Sequence, residues 1–340
     1  MILFKKGMAC LLCVFLVVPL FTGCASEDDK HKYPASFFYR DYEADTAYVP
    51  AYSASGAETD HGSVSSIEFL YEDIVFEDKD IIPAGSYDFT CTSAACYDIE
   101  HTAMLFSKDI FEKVYPASTT KLLTALIAVK YLDLDSVITI EEDNCGITTW
   151  GAQLCGFLAG DELTVRDMLY CLLIYSGNDA ALALALSVSG SEKEFVKLIN
   201  SEAKRIGAID THFTNPHGLH DPDHYTTAYD IYLIFNECLK DPFLKQIFTT
   251  RSYTASVTGK DGEIRSLFME PTNLYYAGIY EPPAGMTVYG GKTGVTNAAG
   301  NCLIIYSENS SGKGFITEIF NASSKDVLYG EMNELLKMCR

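Results

Sequence analysis

Hydrophobic and polar positions change character several times along the chain. Met8 to Phe21 is almost entirely apolar (MACLLCVFLVVPLF), and residues 25 to about 65 are acidic, rich in Ser, Ala and Tyr, and without a sustained period. From about residue 85 the pattern becomes that of a folded domain. Residues 86–93 and 102–107 alternate or run apolar and predict a strand pair. Thr119 to Tyr131 is apolar around most of its circumference, which predicts a helix buried through the middle of the domain. Pro116 suits the opening of that helix, because its missing N–H would have no partner in the first turn.

Helical signals then dominate. Thr164 and Asp167 form a capping box before an apolar run, and Thr227 and Asp230 form another before IYLIFNECL. Between them DAALALALSV and Glu192 to Ile206 predict two more helices. The end of the chain returns to strands: MTVYGGKTG, NCLIIYSEN and GFITEIFNA, joined by a loop at Gly294–Gly300 and a Gly-containing turn at SENSSGK. A last helix spans about Ser324 to Met338. Strands at both ends with helices between predict one α/β domain over 76–340. Its sheet is completed by the C-terminal strands, and a helical subdomain is inserted. No second domain is expected after the last helix.

The apolar stretch at the start has about 14 residues, fewer than the roughly 20 that span a bilayer, and Pro19 interrupts it. Lys5 and Lys6 precede it and LFTGCAS follows. The whole resembles a bacterial lipoprotein signal, so residues 1–23 are expected to be removed and Cys24 to carry lipid. Residues 24–75 would then form an acidic flexible tether holding the domain at the outer face of the membrane.

Composition removes some functions. With 46 acidic against 25 basic residues the net charge is −21, and loss of residues 1–23, which hold two lysines and no acid, takes it to −23. Such a chain lacks the clustered cations that nucleic-acid phosphates require. Of 11 cysteines, eight follow Cys24, with no CxxC pair of the zinc type. Cys91 and Cys96 are nearest in sequence; several others sit in apolar runs that suit a buried thiol, and no specific bridge is predicted.

The tetrapeptide Tyr-Pro-Ala-Ser occurs twice, at 33–36 and 115–118. In the first copy Tyr39 stands where a base would be needed, and no helix follows. In the second, Lys121 lies three residues after Ser118, on the same helical face, where an amine can reach the hydroxyl. A serine is a weak nucleophile until something takes its proton, and a helix N-terminus favours a developing oxyanion. Two further motifs follow in order. Ser176-Gly177-Asn178 falls in a break between helices, where Gly177 is expected to free the backbone and turn both polar side chains toward a cleft. Lys292-Thr293-Gly294 ends a predicted strand: Gly294 leaves room for a substrate along that strand, and Lys292 and Thr293 offer donors to a carboxylate.

Together with YPASTTKLLTALIA, GDELTVRDMLYCLLIYSGNDAALALA, TNPHGLHDPDHYTTAYD and GGKTGVTNAAGNCLI, this triplet resembles the serine D-alanyl-D-alanine carboxypeptidases, the low-molecular-mass penicillin-binding proteins, over about residues 85–338. The resemblance implies a penicillin-binding/β-lactamase-like fold, an antiparallel sheet flanked by helices. It also implies removal of the terminal D-Ala from peptidoglycan stem peptides through a serine acyl-enzyme that β-lactams trap. Ser118 would be the nucleophile and Lys121 its base, neutral through burial and the nearby Lys292. Ser176 would relay a proton to the leaving amine with Lys292 in support, Asn178 would hold the substrate amide, and Thr293 its carboxylate. Backbone N–H groups of Ser118 and Val295 would form the oxyanion hole. No cofactor is implied.

Three readings compete. His212, His217, His220 and His224 crowd beside Asp221 and Asp223 like a zinc site, but in a Pro- and Gly-broken loop rather than on the helix an HExxH site needs, so no metal is expected. A class A β-lactamase would need a glutamate beyond the middle motif, and Gly207 to His224 has none. A non-catalytic penicillin or muropeptide sensor at the membrane would have no use for Lys121.

Overall fold

The computed structural model describes residues 79–340. The leader-like segment 1–23, Cys24, the first Tyr-Pro-Ala-Ser copy and the whole tether lie outside the described residues.

Five strands, β1 (Ser93–Asp98), β2 (Ala103–Lys108), β7 (Met286–Thr296), β8 (Gly300–Asn309) and β9 (Gly314–Ala322), form one antiparallel sheet in the order β2-β1-β9-β8-β7. The last helix, α7 (Lys325–Met338), packs its Leu328, Met332, Leu335 and Leu336 against one face with Leu303, Ile305, Phe315 and Ile319. On the other face Ile304, Ile316 and Phe320 join the larger core built on α1 (Lys121–Tyr131), α3 (Asn178–Ser189), α4 (Glu192–Arg205) and α5 (Ala228–Lys240). Covered on both faces, β8 and β9 read as continuous apolar runs, which is why their pattern is visible in the sequence.

α1 is the central helix. Its residues Lys121 to Ala128 are all buried, and it packs against α3, α4 and α5. Each of its leucines contributes about 1.5–3 kcal/mol by leaving water. The expected caps form: Thr164 Oγ1 accepts from the Asp167 N–H ahead of α2 (Val165–Tyr170), and Thr227 Oγ1 from the Asp230 N–H ahead of α5.

Four features differ from expectation. The first strand of the leading pair lies at Ser93–Asp98, not 86–93. SAACYD has no β-branched residue and is buried at every position, so no alternation marks it. A second sheet, β3 (Val137–Thr139), β4 (Glu162–Thr164), β5 (Tyr253–Thr258) and β6 (Ile264–Met269), in that order, sits among the predicted helices. Two of its strands have only three residues and carry no period, although β5 and β6 do alternate around a Gly-containing turn. A short helix, α6 (Pro242–Phe248), with Pro at its first position, follows α5 directly. The loop expected at Gly294–Gly300 shrinks to a turn at 297–299, because β7 pairs with β8 as far as Thr296 opposite Gly300.

All eight cysteines of the described residues are free thiols. Cys96 meets Cys339 rather than Cys91, with the two sulfurs 3.1 Å apart beneath α7. No helix among the described residues is long and apolar enough to cross a membrane.

Candidate active site

Pro116 caps a 3₁₀ turn, Ala117–Thr120, that runs into α1 and places Ser118 and Lys121 on one face. Lys121 is fully buried, and its Nζ has three neighbours: Ser118 Oγ at 2.9 Å, Asn178 Oδ1 at 2.7 Å and the His217 carbonyl at 2.5 Å. Two of these, an amide oxygen and a carbonyl, can only accept. A neutral amine has two hydrogens and one lone pair; the hydrogens go to those acceptors, and the lone pair is left facing the Ser118 hydroxyl. Burial first, and the charge of Lys292 second, hold the Lys121 amine well below the ordinary lysine range, against a smaller opposing pull from Asp179. The same surroundings favour the neutral amine, the form whose lone pair can accept a proton.

The middle motif follows a widening of α2 into a π-helical turn, Cys171–Tyr175. The residue with the unusual backbone is Ser176, at φ +70°, and not Gly177, whose φ is −59°. The expectation that Gly177 frees the backbone is corrected on this point: the glycine is needed for space. A Cβ at 177 would come within 2.3 Å of Cys155 Sγ and 2.9 Å of Asp179 Oδ1. Asn178 opens α3, its N–H bonded to the Gln153 carbonyl at 2.8 Å. Asp179, fully buried at the same helix N-terminus, accepts from the N–H groups of Cys155 and Gly156 at 3.0 and 3.1 Å. Those bonds fasten the 153–156 segment against the motif.

The third motif lies inside β7, with Lys292, Thr293 and Gly294 opposite Ile304, Leu303 and Cys302 of β8. Lys292 Nζ donates to Ser176 Oγ and to the Thr293 carbonyl, each at 2.9 Å, and burial brings its pKa down to about 7. Thr293 Oγ1 is 2.6 Å from Thr272 Oγ1. A Cβ on Gly294 would lie 2.8 Å from the Pro116 carbonyl and 3.1 Å from the Ser118 nitrogen, so glycine is what lets β7 reach the Ser118 backbone. The side chain of Val295 is exposed.

The three motifs thus converge on one cleft of about 340 Å³, whose lining includes Ser118, Ser176, Asn178, Thr293, Gly294 and Val295. Lys121 and Lys292 lie buried behind it. Cys24 lies outside the described residues.

The four clustered histidines separate. His212 Nδ1 faces the Asp223 carbonyl, His220 stands edge-on to Tyr115, His217 Nδ1 accepts from the Leu219 N–H, and His224 turns inward to Thr120. Among the described residues no group of three His, Cys, Asp or Glu side chains is placed to hold a metal ion.

Several contributors were not assigned from the sequence. The His217 carbonyl completes the surroundings of Lys121, and Gly218 lies against Ala117: at φ +83°, a Cβ there would sit 1.8 Å from the Ala117 carbonyl oxygen. Both belong to the quoted TNPHGLH stretch, whose Pro-Gly turn chemistry was the available signal. Thr272, 21 residues from Thr293, gave none.

A serine at the head of the central helix beside a buried lysine, faced by an SGN turn and by a Lys-Thr-Gly stretch of the main sheet, is the arrangement of the penicillin-binding class. The chain belongs to the D-alanyl-D-alanine carboxypeptidase family, Peptidase S11, whose profile matches residues 82–324. It is 33% identical over 255 residues to the D-alanyl-D-alanine carboxypeptidase DacF of Bacillus subtilis, covering 72% of this chain and 60% of that one. To DacC of Escherichia coli it is 27% identical over 281 residues, covering 80% and 66%. The chain thus spans less than two thirds of the length of these relatives. In structure it is similar to the DD-transpeptidase of Streptomyces K15, with a TM-score of 0.69, 25% identity, and coverage of 74% of this chain and 98% of that one. The fold is the DD-peptidase fold.

Proposed function

We propose that the protein is a serine D-Ala-D-Ala carboxypeptidase acting on peptidoglycan stem peptides and acylated by β-lactams. The observation that carries this reading is the buried Lys121 amine, 2.9 Å from Ser118 Oγ with its other two contacts made to acceptors. Lys121 takes the hydroxyl proton as Ser118 Oγ attacks the carbonyl carbon of the penultimate D-Ala. The N–H groups of Ser118 and Val295 hold the resulting oxyanion. Ser176, supported by Lys292, passes a proton to the departing D-Ala nitrogen; Asn178 holds the substrate amide, and Thr293 with Gly294 the terminal carboxylate and strand-like backbone. Water then hydrolyses the acyl-enzyme. No cofactor or metal takes part.

In this reading residues 1–23 direct export, Cys24 carries lipid, residues 24–75 are the tether, and 76–340 form the enzyme domain at the outer face of the cell membrane. A chain this acidic lacks the clustered cations that a nucleic-acid partner would need. Transfer of the acyl group to an amine instead of water is a second reading, favoured by the likeness to a DD-transpeptidase.

The test is intact mass after mixing the protein with benzylpenicillin, with Ser118→Ala in parallel, followed by release of D-Ala from a peptide ending in D-Ala-D-Ala. A long-lived adduct in the parent only, and D-Ala release, are expected; an added amine appearing in the product would move the second reading forward. Hydrolysed drug without an adduct would mean a β-lactamase, and intact drug without an adduct would leave the membrane sensor.

A further inference from the structure

The four histidines face different ways, and one of them reaches, through Thr120, the peptide bond of Ser118. His224 is 2% exposed. Its Nδ1 accepts from the Thr214 N–H at 2.9 Å, so its hydrogen is on Nε2, which donates to Thr120 Oγ1 at 2.8 Å. The Thr120 hydroxyl in turn donates to the Ala117 carbonyl at 2.9 Å. The same carbonyl lies against Gly218, where a Cβ would come within 1.8 Å of its oxygen.

Ala117 is itself unusual, with φ +48°, a left-handed conformation that an alanine adopts only when its surroundings impose it. Its carbonyl shares a rigid plane with the N–H of Ser118. The bond is trans, so the two groups point in opposite directions. Holding the carbonyl on one side therefore aims the Ser118 N–H to the other, where β7 approaches at Gly294.

We infer that His224 and Thr120 are positioning residues: the chain His224 Nε2–H to Thr120 Oγ1, and Thr120 Oγ1–H to the Ala117 carbonyl, clamps the Ala117–Ser118 peptide so that the Ser118 N–H is ready to receive an oxyanion. This rests on the acyl-transfer reading above and adds a source of preorganisation to it. An oxyanion donor is effective because it needs no reorientation as charge develops. A peptide plane free to rock would retain binding and lose rate. Burial brings the His224 pKa down to about 3, so the imidazole stays neutral and the single Nε2 hydrogen is always available to Thr120.

The clamp is tested on the full chain by the benzylpenicillin acylation rate at saturation and by the apparent binding constant, read separately. Thr120→Val keeps the shape and removes the hydroxyl; Thr120→Ser restores it. The double variant Thr120→Val with His224→Leu removes both side-chain partners: no Nε2–H is left facing a methyl group, and the Thr214 N–H gives up its acceptor. Thr120→Val and the double variant are expected to acylate about tenfold more slowly, with binding changed less than about twofold, while Thr120→Ser stays within about threefold of the parent. If Thr120→Val does not fold, the double variant carries the comparison. A parental acylation rate in the folded double variant, or an equal loss in Thr120→Ser, would overturn the clamp alone. No acylation of the parent itself would overturn both the clamp and the functional reading.

Discussion

The two walls of the cleft are built on different principles. The β7 wall is a ladder, paired with β8 residue by residue from Gly290 to Thr296, and it needs missing side chains at Gly290 and Gly291, against the Phe248 and Ile304 carbonyls, and at Gly294, against the Pro116 carbonyl. The opposite wall, made by the turn before α1 and by Ser176–Asn178, holds two non-glycine residues at positive φ, Ala117 and Ser176. There, contacts with distant side chains and carbonyls take the place of a ladder: Lys121 with Asn178 and the His217 carbonyl, Asp179 with the 155–156 amides, Thr120 with His224. Backbone ladders hold one wall whatever its side chains do. Side chains hold the other, so chemistry and architecture there depend on the same atoms.

This contrast predicts where substitutions hurt. On the side-chain-held wall, Lys121→Ala should cost the most: loss of the base lowers benzylpenicillin acylation by about 10³-fold or more, with the fold intact by circular dichroism. Normal acylation by that variant would end the assignment. On the ladder wall Gly294→Ala, whose Cβ would press on Pro116 and Ser118, should lower acylation about 100-fold with thermal stability little changed. Equal losses of rate and stability there would mean that the ladder is less independent than its pairing indicates.

Gly177→Ala should destabilise the protein by about 2 kcal/mol, because its Cβ meets Cys155 Sγ. Adding Cys155→Ala should recover part of that loss, and a denaturant-melt cycle of the four proteins measures the coupling. Lys292→Ala links the two walls. Burial is the larger cause of the low Lys121 pKa, and the Lys292 charge the second. Removing that charge makes Lys121 easier to protonate, so the acid limb of the acylation rate should move to higher pH. A limb that stays in place would mean that burial acts alone. Smallest of all, Val295→Ala should leave acylation within about twofold, since its side chain is exposed and only its N–H is called upon.

The same division governs how far the sequence could be read. Strands β7 to β9 and the Thr164 and Thr227 caps were legible because their signals are local, a run or a four-residue motif. The hidden sheet was not: β3 and β4 are three residues each, and β5 finds β4 about a hundred residues away. β1 was misplaced by a few residues because a strand buried on both faces without branched residues has no pattern to show. The histidines look alike in sequence, yet they diverge in the fold because each has different neighbours: His212 the Asp223 carbonyl, His220 the Tyr115 ring, His224 Thr120 and the Thr214 N–H.

By itself, the sequence determined that Ser118 and Lys121 share a helical face, that an SGN turn breaks two helices, and that a Lys-Thr-Gly stretch lies on a late strand. These follow from spacing, which covalent geometry converts directly into proximity or direction. The tertiary fold, by contrast, puts Ser176 rather than Gly177 in the left-handed turn, and Ala117 in another beside Ser118. It alone also buried Lys121 between partners 57 and 96 residues away. Proton affinity is set by which dipoles and charges surround a group and how much water they exclude, and those neighbours come from chain segments that only folding brings together.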